Sequence, residues 1–83
     1  MLSTRQLAEL RRSGHEAPNR IAIAMKLAEV TQVQLAERTG FTQSYVSRVK
    51  DGRYSALPGE TMRTFAEAFG CSIEDLFPAR VAA

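Results

Sequence analysis

At 83 residues, 45% of them hydrophobic and 24% charged, the chain has room for one domain with one modest core. A single cysteine, Cys71, excludes an internal disulfide and a cysteine-built metal cage, and it reads as a small core hydrophobe. No stretch approaches the ~20 apolar residues that span a bilayer, and no signal-peptide pattern opens the chain, so a cytoplasmic protein with no membrane partner is expected.

Net charge is +2. Residues 1–59 carry nine Lys/Arg against five Asp/Glu, whereas residues 60–83 carry two against four. A basic front and an acidic back suit a polyanion partner engaged by one end, although scattered solubility charge explains the count equally well.

Taken in order, the elements share one grammar: an apolar residue, a Ser/Thr cap, then an apolar anchor four residues after the cap. Leu2-Ser3 leads to Leu7, with Gln6 placed to complete a capping box and Gly14 to end a short helix near 4–12. Leu7 and Leu10 share one side of it, with Arg5, Arg11 and Arg12 elsewhere. An isolated helix this short is marginal in water, so residues 1–18 need a partner. Three roles are open: packing on the next helix, contributing to a dimer interface, or serving as a loosely ordered basic arm near a polyanion. The first two are favoured. His15, in a loop with no second ligand in the sequence, reads as incidental.

Residues 19–28 are apolar nearly all round and want burial on more than one side. Val30-Thr31 leads to Leu35, with Gln34 completing a box, and predicts a helix over 32–39 with Val33, Leu35, Ala36 and Thr39 grouped inward. Phe41-Thr42 leads to Val46 and predicts a helix over 43–51. The connector "DGRYSALPGE" follows, with Pro58 suited to a first helical turn. Met62, Phe65, Ala66 and Phe69 form an apolar stripe over 58–69, and Cys71-Ser72 opens a last helix over 73–77. Gly14, Gly40, Gly52 and Gly70 serve as left-handed stops. No segment alternates as a strand. The expected fold is all-α.

The helices over 32–39 and 43–51 are joined by three or four residues around Gly40, so they cross steeply as a helix-turn-helix, with small Ala36 allowing close approach. At 100° per residue, Gln43, Ser44, Ser47, Arg48 and Asp51 span about 140° of the second helix. Val46 and Val49 point the opposite way. A polar face on so short and firmly anchored a helix fits a major groove about 12 Å wide.

The stretch "TQVQLAERTGFTQSYVSRVKDG" resembles the helix-turn-helix of the phage repressor/Cro superfamily (the XRE family), through Thr31-Gln32, Leu35-Ala36, Gly40, Thr42-Gln43, Val46-Ser47, Val49 and Gly52. Downstream, "ETMRTFAEAFGCSIEDLF" is similar to that family's fourth and fifth helices. The resemblance implies a lambda-repressor-like five-helix DNA-binding domain over 19–78 with its motif at about 32–51, preceded by a short extra helix in 1–18 and followed by a tail, 79–83.

By position, the resemblance implies base contacts from Gln43, Ser44, Ser47 and Arg48. Gln43 pairs with adenine N6 and N7, and Arg48 suits guanine O6 and N7. It implies phosphate contacts from Gln32, Thr42, Tyr45, Lys50 and Arg53, with Gln32 at a helix N-terminus whose dipole favours an anion. For Tyr45, at the edge of the face, core packing is equally open. The sequence departs from the family at Met25 and Lys50, where many members pair an arginine with a glutamate, and at Glu29, where glycine is common.

The resulting expectation is a sequence-specific regulator, a repressor above all, binding double-stranded DNA at an inverted-repeat operator as a homodimer. It would be encoded by a prokaryote or phage, with no cofactor, metal, small-molecule ligand or catalysis. The acidic, apolar C-terminal region, including Leu76, Phe77 and Val81, is the first interface expected, and the N-terminal helix the second. The alternative is a protein-interaction module, an antitoxin or adaptor built on the same helices.

Overall fold

The computed structural model describes residues 1–14 and 17–78; His15, the 79–83 tail and Val81 with it lie outside the described residues. The described residues fold into six helices: α1 (Thr4–Arg11), α2 (Ile21–Ala28), α3 (Gln32–Thr39), α4 (Gln43–Lys50), α5 (Gly59–Phe69) and α6 (Ile73–Leu76). The architecture is all-α.

Four helices begin at the hydroxyl caps read from the sequence. Ser3, Thr31, Thr42 and Ser72 each accept a hydrogen bond from the backbone N–H three residues on, and Gln6, Gln34 and Asp75 close reciprocal boxes. The other two helices start without a side-chain cap at the preceding residue. Helix α2 opens at Ile21, two residues later than the apolar run suggests. The Asn19 side chain takes the Ile21 N–H at 3.0 Å, and Arg20 lies outside helical geometry. Pro58 precedes the first turn of α5.

The core gathers Leu10, Ile21, Leu35, Val46, Val49, Phe65, Phe69, Leu76 and Phe77, all sealed from water. Two sequence expectations are corrected here. Leu76 and Phe77, assigned to an interface between copies, are 0% and 1% exposed inside one subunit. The short α6 can only be held by inserting them, because four residues make too few backbone hydrogen bonds to persist alone. Val33, grouped inward on α3, is 48% exposed. It lies about 160° round the helix from Leu35, which points into the core.

Helix α1 is integral to this core. Leu10 is fully buried, the Leu2 N–H donates to Phe69 O at 3.0 Å, and Gln6 Nε2 donates to Leu27 O at 2.7 Å. The greasy α2 therefore has protein on two sides. Behind it, buried Arg20 works as a joint. Its Nε donates to Ser13 O at 2.9 Å, Nη2 to Arg11 O at 3.2 Å and Nη1 to Asp75 O at 3.4 Å. A buried cation is tolerable only when its N–H groups are satisfied, and these carbonyls at the ends of α1 and α6 do so.

Asp75 closes the same seam. Its carboxylate accepts from Arg11 Nε at 2.7 Å and from the Ser72 N–H at 3.0 Å. The Arg11 hydrogen bond, aided by the Ser72 cap, holds the Asp75 carboxyl below the usual carboxylate range. Nearby, burial and the Asp75 charge push the Cys71 thiol up to about 11, so it stays protonated at neutral pH as a half-buried packing group.

Helix α2 ends at Glu29 with φ 55°, the left-handed conformation, and it is the one non-glycine residue with positive φ among the described residues. A side chain there costs about 1–2 kcal/mol, which glycine avoids. Glu29→Gly should therefore stabilise the protein by about 0.5–1 kcal/mol, read as a raised thermal midpoint. A second outcome concerns acid. Because the folded Asp75 pKa is depressed, its contribution is intact above about pH 4 and fades as pH falls through the lowered value. Asp75→Asn should lower stability at pH 7 and flatten its acid dependence, measured by urea unfolding between pH 2 and 7.

Candidate nucleic-acid interface

The turn between α3 and α4 is built from local chemistry. Gly40 has φ 81° and donates its N–H to Ala36 O at 2.9 Å, closing α3. Space around its Cα is open, so glycine is required there by conformation alone. The Thr39 hydroxyl donates to Leu35 O at 2.9 Å and accepts from the Phe41 N–H at 3.2 Å. Phe41 then packs on buried Phe65, with ring centroids 5.3 Å apart, anchoring the turn to the core. Thr42 caps α4 by accepting the Tyr45 N–H at 3.1 Å. An accepting hydroxyl keeps its own proton to donate, which suits a phosphate oxygen.

Helix α4 is fixed from behind and at its far end. Val46 and Val49 are 0% and 1% exposed. Asn19 Nδ2 donates to Val49 O at 2.7 Å, while the Gly52 N–H donates to the same oxygen at 3.0 Å. Gly52 has φ 73°, and a Cβ placed on it would collide with the Pro18 ring. Met25 and Lys50 stand where many members of the resembled family pair an arginine with a glutamate. Asn19 supplies the tie from just before α2, a neutral bond to backbone that needs no buried charge.

The exposed side of α4 assembles most of the residues singled out in the sequence. Gln43, Ser44, Ser47 and Arg48 line one shallow polar hollow together with Gln32, Arg53 and Asp51. Gln43, Ser44 and Arg48 are exposed, and Ser47 is half-buried. Thr42 and Tyr45 line the adjoining hollow with Gly40, Phe41 and Arg48. Lys50 is half-buried and lines neither hollow.

Gln32 does more than mark a helix start. Its Nε2 donates to Gln43 O at 3.3 Å, coupling the first turns of α3 and α4. Tyr45 is half-buried, with its ring packed edge-on against Phe41 at 5.0 Å and tilted against Tyr54 at 5.6 Å. Packing, the alternative left open for Tyr45, thus accounts for its ring.

Two residues escaped the sequence reading. Asn19 had a visible signal, an amide residue just ahead of an apolar run, but it was absorbed into the helix. Tyr54 accepts a hydrogen bond from Arg48 Nε at 3.0 Å. Its only sequence signal was an aromatic ring in a polar connector. Asp51 lines the same hollow as Arg48 and Arg53 and adds a carboxylate acceptor to it.

A family model described as the Cro/C1-type HTH DNA-binding domain matches residues 20–79. The chain belongs to this family. Neither a curated protein nor a solved structure gives a match. As a Cro/C1-type chain it is a DNA-binding helix-turn-helix regulator, and α1 lies ahead of the matched span. No helix among the described residues is long and apolar enough to cross a membrane.

The ties on α4 of this Cro/C1-type domain have measurable worth. Asn19→Ala removes bonds to Val49 O and to the Ile21 N–H, so it should destabilise the protein by about 1–3 kcal/mol in urea unfolding. Gly52→Ala should cost more than Gly40→Ala, because it adds a steric collision to the same left-handed strain.

Proposed function

We infer that the protein is a sequence-specific repressor that inserts α4 into the major groove of an inverted-repeat operator, two copies to a site. One observation carries this reading: four exposed or half-exposed polar side chains share the outer side of a helix whose other side is sealed into the core. Gln43, Ser44, Ser47 and Arg48 contact base edges. Gln32, Thr42, Tyr45, Lys50 and Arg53 contact phosphates on the flanks, with Tyr45 offering only its hydroxyl edge. The setting is a prokaryotic or phage-encoded cytoplasmic regulator, and repression follows from occupancy of a promoter-proximal site.

The scarcity of large exposed hydrophobic residues favours this over an adaptor role. Among the described residues they are Met1 and Val33, too few for the apolar core of a stable protein interface. The same scarcity bears on assembly. Four reading side chains address only a few base pairs, so specificity needs a second copy, yet Leu76 and Phe77 are internal and give that copy nothing to hold. Pairing is accordingly completed on DNA, each copy seated on one half-site with centres ~34 Å apart.

Selection from random duplexes should yield an inverted repeat with that spacing, and sedimentation should show monomers alone and two copies on the selected duplex. A single unrepeated half-site, or failure to select any sequence, would count against the reading. On the selected duplex Arg48→Ala should cost roughly 1–3 kcal/mol and relax one base preference. Lys50→Ala should weaken all sequences about equally and reduce the salt slope by about one unit.

A further inference from the structure

Arginine on a solvated helix face is a mobile reader, and fixing it on binding has an entropic cost. Arg48 is exposed, yet its Nε–H is already held by the Tyr54 hydroxyl at 3.0 Å. That hydroxyl is itself well supported. The Tyr54 ring lies 5.6 Å from Tyr45, Tyr45 lies 5.0 Å from Phe41, and Phe41 lies 5.3 Å from Phe65, which is fully buried. A relay of rings therefore runs from the core to the guanidinium.

The chemistry of the guanidinium then narrows what Arg48 does. Its Nε bears one hydrogen, and Tyr54 takes it. A two-point contact must use the terminal Nη1 and Nη2 groups, which present two parallel donors. Guanine offers two acceptors, O6 and N7, on its major-groove edge, whereas adenine offers N7 beside a donor. We propose that Tyr54 is a positioning residue for base specificity, holding Arg48 by Nε so that its terminal nitrogens read one guanine end-on. The proposal rests on the reading of α4 as the DNA-contacting helix.

The test compares wild type, Tyr54→Phe, Arg48→Ala and the double variant on the duplex selected by wild type. A matched duplex has the Arg48-dependent G·C pair replaced by A·T. Tyr54→Phe keeps the ring relay and removes the hydroxyl that accepts from Arg48 Nε. It should narrow the discrimination between the two duplexes by roughly three- to ten-fold, by returning the immobilisation cost of one side chain to the binding step. The double variant should match Arg48→Ala. An unchanged discrimination, or an equal loss on both duplexes, overturns the proposal.

A second measurement needs no DNA. The Arg48 Nε–H resonance in the free protein should be protected from solvent exchange relative to Arg53 and should lose that protection in Tyr54→Phe; equal exchange of the two arginines in wild type also overturns it. The two layers separate cleanly. If Arg48→Ala leaves every guanine preference intact, the DNA reading of Arg48 fails and this proposal with it. If Arg48→Ala erases one preference and Tyr54→Phe does not, Tyr54 alone is wrongly assigned.

Discussion

Burial of Val46 and Val49 is the constraint on which the rest of this molecule depends. An eight-residue helix with six polar or cationic side chains has little reason to exist in water, since nucleation is unfavourable and propagation too short to compensate. Two valines sealed into the core contribute about 1.5–3 kcal/mol each, and they fix the rotation of α4 about its axis as well as its presence. Once that rotation is fixed, the outward direction of Gln43, Ser44 and Arg48 is no longer a choice. The caps then act on a helix already selected: Thr42 at the front, Asn19 and the Gly52 N–H at the rear.

The rear of the molecule follows a different logic. There a helix outside the matched family span is knitted in by Arg20, which donates to carbonyls at the ends of α1 and α6, and by Arg11, which donates to the Asp75 carboxylate. This seam consumes apolar surface that could otherwise join two copies. It also draws basic and acidic side chains into mutual contact, so part of the front-to-back charge asymmetry read from the sequence is neutralised internally. Arg48, Lys50 and Arg53, on α4 and just after it, take no part in either ion pair among the described residues.

Local grammar was legible in the sequence, and long-range partnership was not. Ser3, Thr31, Thr42 and Ser72 could be named as caps because a cap is decided within four residues, and Gly14, Gly40, Gly52 and Gly70 as left-handed stops for the same reason. Six helices and their order followed. The failures share a cause too. Leu76 and Phe77 look like a sticky end until α5 and α1 are seen to close over them. Val33 is apolar and so is grouped inward, yet it lies far round α3 from Leu35 and stays exposed once Leu35 is buried. Tyr54 and Asn19 act on residues reached through tertiary structure, Asn19 across 30 positions to Val49. Glu29 lies between: its departure from glycine was visible, but its left-handed backbone became definite only once Val30 was buried beyond it.

The three sides of α4 respond differently to substitution, and this separation has a consequence for how such a protein diversifies. The buried side tolerates almost nothing, because loss of a core methylene is felt directly. The ends are held by bonds to main-chain atoms, which are indifferent to the side chains that read DNA. The outer side carries groups whose replacement costs stability within about 0.5 kcal/mol, since exposed positions away from caps and networks are energetically lenient. Under the proposed function, changes at Gln43 and Ser44 therefore alter operator preference without taxing the fold. Arg48 is the exception, being bound to Tyr54 and through it to the aromatic relay. A new residue at position 48 gives up the bond to the Tyr54 hydroxyl, so position 48 is expected to change less freely than 43 and 44.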